Sequence, residues 1–359
     1  MKHLRLIVIA LLLAVAVAPA FAQRIVVGAE RTDYYLAMLT GKRVAVVANH
    51  TSLVGTTHLV DTLVASNITV KKIFCPEHGF RGTAAAGERI GNSTDEKTGI
   101  PIVSLYGSNK KPTPQQMADV DVVVFDLQDV GCRFYTYIST LHYVMEACAL
   151  RGVPLMVLDR PNPNGHYVDG PVMEREFCSF VGVRPGTPVV YGMTIGEYAN
   201  LISGELAPPT KGYELVVVPL LNYTHDSIYR LPVPPSPALQ TPQAIALYPS
   251  LCLLEGTTIS VGRGTDHPFE VIGNDYKMDL RNVEVAPCFD LKYLREMLAN
   301  SDPDKFFLKG NFFEKLAGNA RLRQQLLQGV GDDVIRASWQ PALDNFKRMR
   351  SQYLLYPEH

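Results

Sequence analysis

The chain has 359 residues, with 34 lysines and arginines against 35 aspartates and glutamates and a formal charge of −1. A nucleic-acid binder carries a basic surplus, so no nucleic-acid partner is expected. The length exceeds the roughly 250–300 residues at which a single core stops growing, and two domains or one elaborated domain are expected. The six cysteines, at 75, 132, 148, 178, 252 and 288, are scattered, several of them inside apolar patterns. That distribution reads as buried free thiols rather than a disulfide scaffold.

Lys2 and Arg5 precede an apolar run from Leu6 to Val17 and the small-residue pattern Ala20-Phe21-Ala22. This is the form of a secretory signal peptide cleaved before Gln23. The run is shorter than the roughly 20 residues that span a bilayer, so residues 1–22 are expected to be removed. The expected product is exported, periplasmic or secreted, with no stable membrane insertion.

Beyond the leader, short β-branched runs alternate with helical patterns. Strands are predicted at Arg43 to Ala48, Val70 to Cys75, Ile102 to Leu105, Val122 to Phe125, Leu155 to Leu158 and Leu215 to Pro219. Helices are predicted at His58 to Ala65, Gln115 to Val120 and Ile138 to Leu150. Another begins at Thr194 as N-cap, with Glu197 completing a capping box. Near-continuous apolar strands separated by helices require an α/β fold, a mostly parallel sheet covered on both faces. A proline-rich stretch from Pro232 to Pro242 breaks all periodicity and places a boundary near Tyr248. The expected domains are 23–247 and 248–359, the second carrying helices near Leu291 to Ala299, Asn311 to Leu316, Ala320 to Leu327 and Trp339 to Tyr353.

In open parallel sheets ligands bind beyond the carboxyl ends of the strands. The unusual polar residues fall there: Asn49-His50-Thr51-Ser52, Pro76-Glu77-His78-Gly79-Phe80-Arg81-Gly82, Tyr106-Gly107, the segment Asp126 to Tyr137, and Asp159-Arg160-Pro161-Asn162-Pro163. Glu77 is the sharpest candidate. Pro76 fixes the chain before it, and Gly79 and Gly82 permit tight turns after it. It either meets a substrate oxygen or pairs with Arg81, and His78 either orients it or caps a carbonyl. With Glu77, Asp126 and Asp129 supply the paired carboxylates that glycoside cleavage uses, unless the aspartates cap the following helix. Arg133, Tyr135 and Tyr137 offer a cation and aromatic faces suited to an acidic sugar, or are packing residues. Asp159-Arg160 is a substrate contact or a structural pair. From the second domain, Ser260 to Thr265 could close the cleft.

No Gly-x-Gly-x-x-Gly follows the first strand, and no Gly-x-x-x-x-Gly-Lys-Ser/Thr occurs, so neither nucleotide cradle is present. The Gly-x-Ser-x-Gly elbow, His-Glu-x-x-His and Cys-x-x-Cys are also missing. No metal or cofactor is expected.

The motifs Asn49 to Ser52, Pro76 to Gly82, Asp126 to Gly131 with Arg133 to Tyr137, Leu158 to Pro163, and Glu255-Gly256-Thr257 to Arg263-Gly264-Thr265 resemble the exo-β-N-acetylmuramidases, glycoside hydrolase family 171. The likeness runs from about Val27 to Tyr356. It implies a Rossmann-like domain joined to a smaller C-terminal α+β domain, with the active site in the interdomain cleft. It also implies removal of terminal β-linked N-acetylmuramic acid from the non-reducing ends of peptidoglycan fragments, with Glu77 matching the family's proposed catalytic glutamate. The expected partners are peptidoglycan-derived sugars or muropeptides.

On that basis Asn49, His50, His78, Arg81, Tyr135, Tyr137, Asp159, Asn162 and Thr265 are expected around the sugar. Arg133, Arg160 or Arg263 would meet its lactyl carboxylate, because guanidinium matches carboxylate bidentately. The anomeric charge would be met by Asp126 or Asp129, or by the substrate's acetamido oxygen. Between Gly273 and Asp290 the chain is shorter than family members. The rival class is a non-catalytic peptidoglycan- or sugar-binding protein using the same cleft. An esterase or amidase is disfavoured by the missing nucleophile elbow.

Overall fold

A computed structural model describes residues 23–77, 79–80, 91–205 and 213–359. The predicted leader therefore lies outside the described residues. The main sheet has seven strands: β1 (Arg43–Ala48), β2 (Thr69–Cys75), β3 (Ser93–Thr94), β4 (Pro101–Ser104), β5 (Val122–Asp126), β6 (Leu155–Leu158) and β7 (Leu215–Val218). Their spatial order is β7-β6-β5-β1-β2-β4-β3, and only the β3–β4 pair is antiparallel. Without the two-residue edge strand, the six parallel strands run 3-2-1-4-5-6 in chain order. This is the Rossmann arrangement, whose crevice opens where the order reverses, here between β1 and β5. Ala48 pairs with Asp126 in that register, so the loops beginning at Asn49 and Leu127 leave the sheet side by side.

The strands form here because their apolar residues have somewhere to go on both faces. In β1 every residue after Arg43 is buried, and all of β5 and β6 is buried. Alternate residues then serve two separate cores. Val44, Val46 and Ala48 pack with Tyr35, Leu39, Leu59 and Leu63 on one face. Ala45 and Val47 pack with Ile138, Leu141 and Tyr198 on the other, and that core continues through Leu251, Phe269, Phe306, Phe313 and Phe346.

The predicted capping box is present: the Thr194 backbone N–H donates to Glu197 Oε2 at 2.9 Å, and the Glu197 N–H to Thr194 Oγ1 at 3.2 Å. Two elements differ from the sequence reading. Residues 114–119 form turns instead of a helix, because so short a segment gains too few bonds to offset the cost of nucleation. The last helix spans Asp332–Arg350 and begins well before Trp339, since Asp332 and Asp333 favour its first turn. All six cysteines are free thiols, four of them buried.

Past the proline-rich stretch, the helix Pro242–Leu251 starts with Pro242 in its first turn and the Thr241 hydroxyl accepting from the Ala244 N–H. It leads into a 3₁₀ turn, Cys252–Gly256. Tight packing continues there: a Cβ on Gly256 would stand 2.6 Å from the Phe313 backbone. An antiparallel ribbon, Val271–Gly273 with Lys277–Asp279, follows. The proline-rich stretch crosses the carboxyl edge of the sheet. It is fastened there by hydrogen bonds from His50 Nε2 to the Pro234 carbonyl and from the Tyr135 hydroxyl to the Pro235 carbonyl, each 2.8 Å.

Candidate active site

At the end of β2 the chain leaves through Cys75 and Pro76 and turns at once. The Gly79 N–H reaches the Pro76 carbonyl at 3.4 Å, and Gly79 has φ of +78°, a conformation glycine adopts without penalty. Glu77 is thereby held half-buried at the apex. Its Oε2 accepts a hydrogen bond of 3.2 Å from Thr136 Oγ1, at the N-terminus of the helix Tyr137–Arg151. The Tyr106 hydroxyl also bonds Glu77. Burial first, and then the Glu77 charge and that bond, push Tyr106 up to about 12.

Glu77 opens onto a cavity of about 270 Å³. One wall comes from the sheet edge, with Tyr106, Tyr135, Thr136 and Tyr137. The opposite wall comes from the C-terminal part, with Tyr248, Glu255, Arg263 and Phe269. Glu255 stands on the 3₁₀ turn and pairs with Arg263, whose Nε donates to Glu255 Oε1. The Cys252 thiol donates to the other carboxylate oxygen at 3.4 Å. The Arg263 guanidinium lies over the Phe269 ring, 5.1 Å from its centroid. Burial alone would lower the Arg263 pKa, but the bond and charge of Glu255 raise it on balance. Two hollows elsewhere are larger, about 730 and 580 Å³, and neither touches the Glu77 elbow.

The other predicted site residues take varied places. Tyr135 and Tyr137 line the cavity, and the Tyr137 hydroxyl accepts from Asn49 Nδ2 at 2.7 Å. Asn49 is itself buried in an Asx turn, its Oδ1 accepting from the Thr51 N–H at 2.9 Å and the Thr51 hydroxyl at 2.6 Å. It positions Tyr137 from behind. His50 serves the Pro234 carbonyl, with its pKa lowered by burial.

Asp126 lies in a buried ion pair, with Arg160 Nε at 2.6 Å from Oδ1 and Nη2 at 2.9 Å from Oδ2. Asp129 is buried behind the cavity, accepting from the Tyr191 hydroxyl and the Gly131 N–H, and burial pushes it up to about 7. Gly131 packs so closely on Asn162 that a Cβ would stand 2.2 Å from the amide oxygen. Asn162 spans from the Met193 carbonyl to the Asn164 N–H, each bond 2.8 Å. Asp159, also pushed up to about 7 by burial, gathers the Thr194 hydroxyl, the Gly196 N–H and the Tyr356 hydroxyl.

Arg133 is fully buried and donates to the carbonyls of Pro171, Thr187 and Leu316, its pKa lowered to about 10 by burial. Thr265 closes a turn onto the Gly262 carbonyl. His78 and Arg81 lie outside the described residues. Tyr106 was read only as one of the polar loop residues and Glu255 only as part of the family motif, and neither was given a site role from the sequence. The charge pair Glu255 and Arg263, spanning a glycine-punctuated turn, was a signal for the latter.

Comparison with known proteins decides the family. The description "Exo-beta-N-acetylmuramidase NamZ, N-terminal" matches residues 44–243, and its C-terminal counterpart matches residues 246–287 and 280–356. A Bacillus subtilis (strain 168) protein named peptidoglycan beta-N-acetylmuramidase NamZ is 38% identical over 375 residues, covering 90% of this chain and 89% of its own. This chain belongs to the exo-β-N-acetylmuramidase NamZ family.

Two crystal structures of DUF1343 family proteins from Bacteroides fragilis NCTC 9343 share the NamZ-family fold described here. One has a TM-score of 0.84 at 39% identity, covering 94% of this chain and 100% of its own. The other has a TM-score of 0.80 at 27% identity, covering 93% and 99%. The two matched C-terminal segments overlap at residues 280–287, within the segment from Gly273 to Asp290. Glu77 falls in the N-terminal match, while Glu255 and Arg263 fall in the C-terminal one. Both halves of the family pattern therefore face one cavity.

Proposed function

We propose that this chain is an exported exo-glycosidase that releases terminal β-linked N-acetylmuramic acid from the non-reducing ends of peptidoglycan fragments, with Glu77 as general acid. The observation that carries the reading is the Glu77 elbow, where a carboxyl group faces a cavity whose opposite wall bears a second carboxylate, an arginine and aromatic rings. At about 270 Å³ the cavity is below the roughly 300–1,000 Å³ of most ligand pockets, which suits one sugar residue instead of a polymer strand.

Glu77 would give its proton to the glycosidic oxygen as the bond from the anomeric carbon to that oxygen breaks. Asp126 and Asp129 do not line the cavity, and both Glu255 oxygens are already engaged. The substrate's own acetamido oxygen is then the group that bonds to the anomeric carbon, a route known among glycosidases. Water next attacks that carbon, and the Glu77 carboxylate takes the water proton, which restores the acid. The product sugar keeps its β configuration.

The test uses protein with residues 1–22 removed and a disaccharide carrying N-acetylmuramic acid at its non-reducing end. Free N-acetylmuramic acid, first seen as the β anomer by NMR, is the expected product. Release of peptide or acyl products alone would overturn the reading, as would binding without turnover. First appearance of the α anomer would exclude the acetamido route.

A further inference from the structure

A lactyl ether carrying a carboxylate is what separates muramic acid from glucosamine. We infer that Arg263, held in place by Glu255, is the group that reads this carboxylate and sets sugar specificity. The inference rests on the proposed reaction and adds the residue that selects its substrate.

Three arginines could serve by sequence, and their surroundings separate them. The Arg133 guanidinium is enclosed by three backbone carbonyls and is fully buried. Arg160 is committed to Asp126 on two nitrogens, and Nη2 also bonds the Leu53 carbonyl. Among the described residues Arg263 is the sole Lys or Arg lining the Glu77 cavity.

The way Arg263 is held matters more than its charge. Glu255 takes Nε, and Phe269 supports the guanidinium plane. The two terminal nitrogens make no hydrogen bond among the described residues. They are the pair that would grip a second carboxylate bidentately. Glu255 is close to neutralising the arginine, so a bare positive charge in its place would do little. The fork geometry carries the recognition, and lysine cannot reproduce it. Glu255 is thus a positioning residue, one that fixes which edge of the guanidinium faces the sugar.

The experiment compares kcat/KM for aryl β-glycosides of N-acetylmuramic acid and N-acetylglucosamine in the full chain and its variants. Arg263→Met should lower the muramic-acid value roughly ten- to a hundredfold and leave the glucosamine value within about twofold, since a charge-assisted hydrogen bond is lost on one substrate only. Arg263→Lys should behave like Met. Glu255→Gln should raise KM for the muramic-acid substrate roughly three- to tenfold with little change in kcat.

An unchanged ratio in Arg263→Met, or full rescue by lysine, overturns the assignment. A kcat loss of a hundredfold or more on both sugars in Glu255→Gln overturns its positioning role and makes it a second catalytic carboxylate. If the parent protein cleaves neither sugar, the proposed reaction fails, and the assignment is judged separately by calorimetric titration with the free sugars. Binding of N-acetylmuramic acid in preference to N-acetylglucosamine, abolished by Arg263→Met, then upholds it; binding indifferent to that substitution sinks it. An Arg263 variant whose melting temperature falls is replaced by Arg263→Gln, which keeps a polar end on a shorter side chain.

Discussion

Asp126, Asp129 and Asp159 sit at the carboxyl ends of β5 and β6, while Glu77 leaves the end of β2 and Glu255 arrives from the C-terminal part. The five acids lie around one sheet edge, yet they serve different purposes. The three aspartates are buried and form a layer that ties loops together, Asp126 to Arg160, Asp129 to Tyr191, and Asp159 to Thr194 and Tyr356. The two glutamates face the cavity. A carboxylate's place on the topological edge therefore says less than the depth at which its loop leaves the sheet. Strands β5 and β6 are buried along their whole length, so polar side chains just past them must find protein partners. The tight turn after β2 and the 3₁₀ turn after the helix Pro242–Leu251 each present a carboxyl group to the cavity.

Substitutions in the two sets should fail in different ways. Glu77→Gln should lower turnover about 10²–10⁴-fold with the unfolding midpoint unchanged, because the amide keeps the shape but has no proton to transfer. Near-normal turnover would remove Glu77 from its role. Asp126→Asn should do the reverse. It leaves the buried Arg160 charge without its counter-ion, at a cost of about 3–5 kcal/mol in denaturant unfolding. If Asp126→Asn unfolds like the parent yet loses turnover, the division between the two sets of acids collapses.

The next effect is read from pH. Burial raises both Asp129 and Asp159 from 3.8 to about 7, so the folded protein holds protons that the unfolded chain has released. Their stabilising contribution is complete below pH 4, declines as pH rises from 4 to 7, and stays at its minimum above 7. Asp129→Asn removes one of the two groups. It loses a fixed increment from the altered hydrogen bonds, but its stability relative to the parent should climb by on the order of a few kcal/mol between pH 4 and pH 7. Urea midpoints at pH 4.5, 6 and 7.5 measure this, and parallel curves for the two proteins would show that Asp129 is ionised in the fold throughout.

The sheet was legible in the sequence because its strands are unbroken apolar runs, which only a doubly covered sheet can accommodate. The helix at Thr194 was legible from its capping box. The segment from Gln115 to Val120 was not, since a short amphipathic pattern looks the same in a helix and in a series of turns. The set of polar loops was legible too, but not which side chains face inward. Whether Arg160 meets a substrate or Asp126 depends on the β5–β6 register, which sets Phe125 beside Val157, and no local spacing encodes that. The same holds for Asn49, whose role is to fix the Tyr137 hydroxyl 88 residues away. Glu255, quoted only within the family motif, drew no site role for the opposite reason: its partner Arg263 is near in sequence, but Glu77, on the other wall of the cavity, lies in the other half of the chain.

The smallest expected effect tests how finely the glutamate elbow is held. Thr136 Oγ1 is 3.2 Å from Glu77 Oε2, and it projects from the start of a helix whose first residue, Tyr137, is 1% exposed and cannot shift. Thr136→Val keeps the shape and removes the donor, while Thr136→Ser keeps the donor and removes a methyl group. A single neutral hydrogen bond contributes about 0.5–1.5 kcal/mol, so valine should cost roughly three- to tenfold in kcat and serine close to nothing. Stability should change little in either variant, because Glu77 is half-buried and the Tyr106 hydroxyl still bonds it. Equal losses in both variants would mean that the methyl group, by filling space beneath the cavity, matters more than the hydroxyl. No loss in either would mean that the Pro76–Gly79 turn alone fixes the carboxyl group, and that the helix N-terminus contributes only the wall.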